Sequence, residues 1–275
     1  MALHPAHPGA IIGHEAVLAL LPRLTAQTLL FSGPEGVGRR TVARWYAWGL
    51  NRGFPPPSLG EHPDVLEVGP KARDLRGRAE VRLEEVAPLL EWFSSHPRER
   101  VKVAILDSAH LLTEAAANAL LKLLEEPPSY ARIVLIAPSR ATLLPTLASR
   151  ATEVAFAPVP EEALRALTQD PELLRYAAGA PGRLLRALQD PEGYRARMAR
   201  AQRVLKAPPL ERLALLRELL AEEEGVHALH AVLKRPEHLL ALERAREALE
   251  GYVSPELVLA RLALDLTQVA TYPWT

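Results

Sequence analysis

A chain of 275 residues, 48% hydrophobic and 24% charged, is long enough to bury a substantial core and is expected to fold as a soluble globular protein of two or three domains. It contains no cysteine, which excludes disulfides, a thiol nucleophile and any zinc site built on thiolates. Its 33 basic and 33 acidic residues are evenly spread, 17 and 16 in residues 1–155 and 16 and 17 beyond, which argues against stand-alone nucleic-acid binding by bulk attraction and leaves a local basic patch open.

No apolar stretch approaches the roughly 18 residues that cross a membrane. The start, MALHPAHPGAIIG, lacks the basic segment and apolar core of a secretory signal, so a cytoplasmic location and no membrane partner are expected.

In chain order, EAVLALLPRL (15–24) reads as a short helix interrupted at Pro22. TLLFS (28–32) is a compact apolar strand that runs into a glycine-rich turn. In RRTVARWYAWGL (39–50) the apolar positions Val42, Trp45, Tyr46 and Leu50 suit a helix packed on a sheet. NRGFPPPSLGEHPD (51–64) is a loop, because three successive prolines exclude a helix interior and a central strand. VLEV (65–68) is a strand, GPKARDLRGRAE (69–80) a charged connection, and Leu83–Phe93 a helix. VKVAILD (101–107) is a buried strand ending in an acid.

LLTEAAANALLKLLEEPP (111–128) is a helix with Thr113 as N-cap, Leu112 before it and Glu114 at the positive end of the dipole, stopped by Pro127 and Pro128. RIVLIAP (132–138) is a strand, LLPTLASR (143–150) a short helix, and ATEVAFAPV (151–159) a last strand. This repeated βα order predicts a mainly parallel three-layer α/β domain over residues 1–155. Strand signals then stop: residues 161–188 read as two or three short helices, and everything from about Gly193 on is helical, with breaks near Pro208, Glu224, Pro236 and Gly251–Pro255.

The turn GPEGVGRRT (33–41) has the setting of a phosphate loop, strand then glycines then helix. Such a loop wraps backbone N–H groups around phosphates, a lysine reaches the outer phosphates, and the next hydroxyl holds magnesium. Gly33, Gly36 and Gly38 can supply the turn, but Arg39 holds the lysine position and Arg40 the hydroxyl position. Thr41 comes one residue late and, at about 100° per helical residue, points away from the metal position. Arginine is planar and bulkier, not an interchangeable point charge. Asp107 occupies the strand-end acid position, where it can serve a metal or simply bond locally, but Ser108 stands where a second acid would polarise water. Two motifs thus lack three groups, and the chain reads as an inactive member of a nucleotidase fold. His62, His96 and His110 lie on separate elements and read as packing or surface histidines, so no metal site is expected.

GPEGVGRRT, EHPDVLEV (61–68), VKVAILDSAHLLTEAAANALLKLLEEPP (101–128), LASRA (147–151) and AAGAPGRLLRAL (177–188) occur in order. Over residues 9–190 this resembles the delta-prime subunits of the bacterial DNA polymerase III clamp loader, within the AAA+ family. The resemblance implies an AAA+ α/β core over 1–155, a small helical lid over 156–192 and an all-helical C-terminal collar over 193–275. It implies a non-hydrolysing stator that assembles with the gamma/tau motor subunits and the delta subunit, in a complex acting on the sliding clamp and primer–template DNA. It implies an arginine supplied in trans to a neighbour's ATP site, which by match to the family's Ser-Arg-Cys motif is Arg150, with Ser149 supporting it. Read on its own, Arg150 is an arginine after a short helix, open to a surface or structural role. Arg183 matches a lid arginine that senses nucleotide in active relatives; here it is expected to help set the lid, or to be a helix-surface arginine.

Two departures stand out. Residues 51–64 replace the family's common four-cysteine module, so no zinc is expected, and Ala151 replaces the motif's cysteine. The missing lysine, hydroxyl and acid argue against ATP binding as well as hydrolysis by this chain. Two rival readings are a competent ATPase with Arg39 in place of lysine, which Ser108 opposes, and a monomeric nucleotide-binding regulatory module outside replication.

Overall fold

Three apolar runs whose alternate residues face opposite ways build the centre of the molecule. The computed structural model describes residues 11–70, 80–222, 224–250 and 254–266. Strands β1 (Thr28–Ser32), β2 (Val65–Val68), β3 (Lys102–Leu106), β4 (Ala131–Ala137) and β5 (Thr152–Ala155) form one parallel sheet in the order β2-β3-β4-β1-β5. All of β1 and β3 is buried, which explains the apolar runs Leu29–Phe31 and Val103–Leu106 within them. The register pairs Phe31 with Ile136 and Ile105 with Val134.

On one face Leu29, Phe31, Val103, Ile105, Val134 and Ile136 pack against α1 (Glu15–Leu20) and α2 (Arg39–Arg52) through residues such as Val17, Val42, Trp45 and Tyr46. On the other, Leu30, Ala104, Leu106, Ile133 and Leu135 pack against α3 (Leu83–Trp92), α4 (Glu114–Glu125) and α5 (Pro145–Ala148). The result is the three-layer α/β core anticipated from the βα order. Pro22 lies in a 3-10 turn directly after α1. Thr113 caps α4 by accepting a hydrogen bond from the Ala116 N–H at 3.3 Å. One boundary moves: α2 continues through Arg52, and ends where the Gly53 N–H donates to the Gly49 carbonyl at 2.8 Å, so the expected loop starts two residues later than Asn51. Residues 71–79 of the charged connection lie outside the described residues.

The connection entering β3 is held by two buried side chains. The Asp64 carboxylate accepts from the Arg98 N–H at 2.8 Å and the Glu99 N–H at 2.7 Å. Asn51 Oδ1 accepts from the N–H groups of Arg100 at 3.1 Å and Val101 at 3.0 Å. Asp64 is 1% exposed, so removing its carboxylate takes the partner from two N–H groups and leaves a space in the packing. Asp64→Ala is expected to destabilise the core by about 2–4 kcal/mol, read as a lower urea midpoint at unchanged slope.

The described residues form two compact units, one running up to Leu167 and including Gly179–Gly182, the other comprising Thr168–Ala178 and the residues from Arg183 on. The first also contains the short helix α6 (Glu161–Leu164). The second is all helical: α7 (Pro171–Ala177), most of α8 (Pro181–Gln189), α9 (Pro191–Lys206), α10 (Pro209–Leu220), α11 (Gly225–Val232), α12 (Pro236–Glu250) and α13 (Pro255–Asp265). All but α11 open on proline, whose fixed φ suits the first helical turn and whose missing N–H costs nothing there. Asp170 and Asp190 cap α7 and α9. Helix α9 packs on α10 and α11, and α13 on α10 and α12. Arg212 of α10, 5% exposed, ties this packing together: Nε donates to the Val204 carbonyl at 3.0 Å, Nη2 to Ala207 at 2.8 Å and Nη1 to Ala263 at 2.8 Å.

Candidate functional site

The C-terminal ends of β1, β3 and β4 converge, and the chain leaves β1 towards one sheet edge but crosses from β4 to the other side of β1 to form β5. A crevice at such a point is where open α/β sheets bind ligands. The loop after β1 occupies it. The Gly33 N–H donates to the Pro138 carbonyl after β4 at 2.9 Å, and a Cβ on Gly33, at φ 145°, would collide with the Phe156 carbonyl. Gly38 precedes α2 with φ 108°, a left-handed conformation that side chains rarely adopt. The Gly36 carbonyl accepts from the Gly182 N–H at 2.9 Å, and the buried His14 ring bonds the Val37 carbonyl at 2.7 Å.

The arginines in this loop are committed to the protein itself. Arg39 Nη1 donates to the Ala137 carbonyl at the end of β4. Burial lowers the pKa of its guanidinium, against the charges of Asp107 and Glu35. Arg40 pairs with Glu67 at 2.7 Å and approaches Asp107 at 3.7 Å. Arg44, one turn further along α2, makes a two-pronged contact with the same Glu67, Nη2 to Oε2 at 3.0 Å and Nε to Oε1. Burial would raise the Glu67 carboxyl, but hydrogen bonds from Arg44 and Arg40 outweigh it and hold it below the ordinary carboxylate range. Thr41 is the third residue of α2 and half-buried. The Asp107 N–H donates to the Val68 carbonyl at 2.8 Å, and Ser108 has a left-handed backbone at φ 58°. Arg40 and Arg44 thus share Glu67, Asp107 lies near Arg40, and Arg39 is held by a backbone carbonyl.

Glu67 and Arg44 escape a reading of the loop motif, being 23 residues apart. The available signal was a charged residue inside the strand VLEV.

Arg150 follows α5, the side chain 31% exposed. Its Nη1 donates to the Thr146 carbonyl at 2.8 Å and to Ser149 Oγ at 3.3 Å, and its Nη2 donates to Glu125 Oε1 at the end of α4. The Ser149 hydroxyl itself donates to the Thr146 carbonyl at 3.1 Å.

Arg183 is no surface residue: it is 4% exposed, with Nη1 donating to the Ala177 carbonyl at 2.8 Å and Nη2 to His227 Nε2 at 2.8 Å. An arginine always donates, so Nε2 must be the unprotonated acceptor of a neutral imidazole. Burial, with Arg183 and more weakly His230 and Arg186 adding to it and Glu224 opposing, lowers the His227 pKa to about 4. In the unfolded chain the same ring takes a proton near its ordinary 6.5. The stability this neutral histidine contributes is therefore complete above pH 6.5 and lost as pH falls towards 4. His227→Gln keeps an acceptor for Arg183 without a titrating group. Its melting temperature is expected to fall less than the parent's between those pH values, and parallel curves would exclude His227 as the cause.

Two of the three histidines read as packing or surface residues have the following partners. His62 Nδ1 accepts from the Asp64 N–H at 3.0 Å, with its ring edge-on to Trp48 at 4.8 Å, and His96 packs on Tyr130 at 5.2 Å. His110 lies in the 3-10 turn after β3. Among the described residues no group of three or more His, Asp or Glu is placed to hold a metal ion, and no helix is long and apolar enough to cross a membrane.

A family model described as DNA polymerase III, delta subunit, matches residues 57–160. The delta' subunit of DNA polymerase III from Escherichia coli (strain K12) is 31% identical over 229 residues, covering 79% of this chain and 67% of the relative. The gamma/tau subunit from Mycobacterium tuberculosis (strain ATCC 25618 / H37Rv) is 31% identical over 190 residues, covering 59% of this chain; the chain spans only 31% of that longer protein. Among solved structures, a single-residue mutant of Thermotoga maritima RuvB superposes with a TM-score of 0.50 at 18% identity, covering 98% of this chain and 88% of that one, a likeness of fold alone. The sheet order, the loop after β1 and the coverage of the delta' relative agree: the chain belongs to the AAA+ clamp-loader-related family of gamma/tau and delta' subunits.

Proposed function

We propose that this chain is a delta-prime subunit, a non-hydrolysing stator of a DNA polymerase III clamp loader. One observation carries the reading: the groups that would have to meet a nucleotide's phosphates are arginines bonded to Glu67, Asp107 and the Ala137 carbonyl. A phosphate entering the loop would have to displace these partners, and no serine or threonine hydroxyl occupies position 40, nor a carboxylate position 108, to hold magnesium or polarise water. The same bonds weigh against Arg39 as a substitute for lysine, since its guanidinium is turned to the end of β4.

In this reading the chemistry is done next door. Arg150, at the end of α5, serves a motor subunit's ATP site, with Ser149 bonding its guanidinium, and offsets charge developing on the transferred phosphoryl group. Residues 156–192 act as the lid, and Arg183 sets it through its buried bonds. Residues 193–275 form the collar that joins this chain to gamma/tau and delta; Leu210, Leu257 and Leu264, at 87%, 68% and 61% exposed, are the apolar side chains available for such an interface. The assembled complex acts on the sliding clamp and primer–template DNA in the cytoplasm.

The purified chain alone is expected to show no steady ATP turnover, and Arg39→Ala no change in that. A turnover that disappears in Asp107→Ala would show a competent site and overturn the proposal.

A further inference from the structure

The arginine assigned above to a neighbour's ATP is not free in this chain. Arg140 already bonds the Ala148 carbonyl at 2.6 Å and the Ala151 carbonyl at 3.3 Å, so the end of α5 is held from one side. Arg150 Nη1 is spent on the Thr146 carbonyl at 2.8 Å, within that same turn. Its Nη2 is the nitrogen left to reach outward, and Glu125 takes it. Glu125 is the last residue of α4, where the helix dipole disfavours a carboxylate; Lys122 is the basic residue of that last turn, and Glu126, Pro127 and Pro128 after it carry no cation. The guanidinium of Arg150 is the cation that bonds the Glu125 carboxylate itself.

We propose that Glu125 is a latch on Arg150: its carboxylate occupies the outward nitrogen and competes for it with the γ-phosphate of a neighbouring subunit's nucleotide. This rests on the trans-arginine reading given above. The chemistry makes the latch releasable. Glu125 is 50% exposed and Arg150 31%, and an ion pair in such a position is weakly held because water and salt screen it. A γ-phosphate, carrying more negative charge than a carboxylate, is the stronger partner for the same guanidinium. Engagement by a loaded neighbour therefore exchanges one anion for another, and an empty neighbour leaves the arginine parked on its own subunit.

The test uses the complete complex, with this chain assembled on gamma/tau and delta, and reads KM and kcat for ATP separately. Glu125→Gln keeps the side chain's shape and removes its charge. It is expected to lower KM about two- to fivefold at low salt, the range an exposed pair spans, without lowering kcat, and the difference should shrink by about 0.5 M salt. In an Arg150→Ala background the same substitution should change neither constant. A raised KM, a lowered kcat, or the same shift in the Arg150→Ala background would overturn the latch. If Arg150→Ala lowers kcat while Glu125→Gln leaves KM unchanged, the latch alone falls. If Arg150→Ala itself changes nothing, the trans-arginine reading falls and takes the latch with it.

Discussion

Arg150→Ala is expected to lower DNA-stimulated ATP turnover by the assembled complex while leaving this chain folded and incorporated. The side chain contributes one exposed ion pair and hydrogen bonds within its own turn, together worth no more than about 1 kcal/mol to the fold. An arginine delivered in trans to a phosphoryl group, by contrast, can be worth roughly 10³-fold or more at the site it completes. The whole complex shows a smaller loss, because other motor sites keep their own arginines. Arg150→Lys restores charge without the planar fork and should recover only part of the rate. Arg39→Ala is the matched control: it alters an arginine of this chain's own loop, bonded to the Ala137 carbonyl, and should leave turnover near the parent value. Steady-state ATPase assays on complexes of equal stoichiometry, with clamp and primer–template DNA present, decide the matter. Equal rates for the parent and Arg150→Ala would remove the trans-arginine role.

Arg212→Met is expected to have the opposite profile, a large loss of stability through a residue with no proposed part in the chemistry. Its guanidinium bonds three backbone carbonyls, two near the end of α9 and one near the end of α13, and burial lowers its pKa. Helix ends leave carbonyls unsatisfied, and their partial negative charge is what a buried cation can match. Methionine keeps an apolar stem of similar reach and abandons all three acceptors. The helical unit should lose about 2–4 kcal/mol, with hydrogen exchange accelerating in α9, α10 and α13 before the sheet. Arg212→Lys should recover little, since one ammonium cannot span three diverging carbonyls. An unchanged urea midpoint for Arg212→Met would mean that the carbonyls find other partners, and the tie would be of no consequence. Arg150, just after α5, and Arg212, within α10, are the same residue type, each a few positions after the proline that opens the helix. Exposure separates their expected effects.

Much of the architecture was legible before any tertiary contact. Apolar runs of five to seven residues became the central strands β1, β3 and β4, because a strand covered on both faces has no polar side to display. Thr113 before α4 and the prolines after it act locally, through one N–H and through steric exclusion, and such rules need no knowledge of the rest of the chain. The missing cysteines, and the arginines at positions 39 and 40, are likewise facts of composition that chemistry alone interprets.

What only the tertiary structure decided is where each cation finds its anion. Glu67 meets Arg40 and Arg44 because β2 runs beside β3, which brings an edge-strand carboxylate up to α2; nothing in VLEV names that partner. Glu125 meets Arg150 across 25 residues for a similar reason, α4 and α5 packing on the same face of the sheet. Arg183 was expected to set the lid or lie on a helix surface and Arg212 carried no signal at all, yet folding buries both and turns them to backbone carbonyls and, for Arg183, a neutral histidine. Periodicity reports which face of an element is buried, since burial is a property of the element itself. Pairing of charges depends on distances between elements far apart in sequence, and those distances come into existence only when the sheet and the helical unit are assembled.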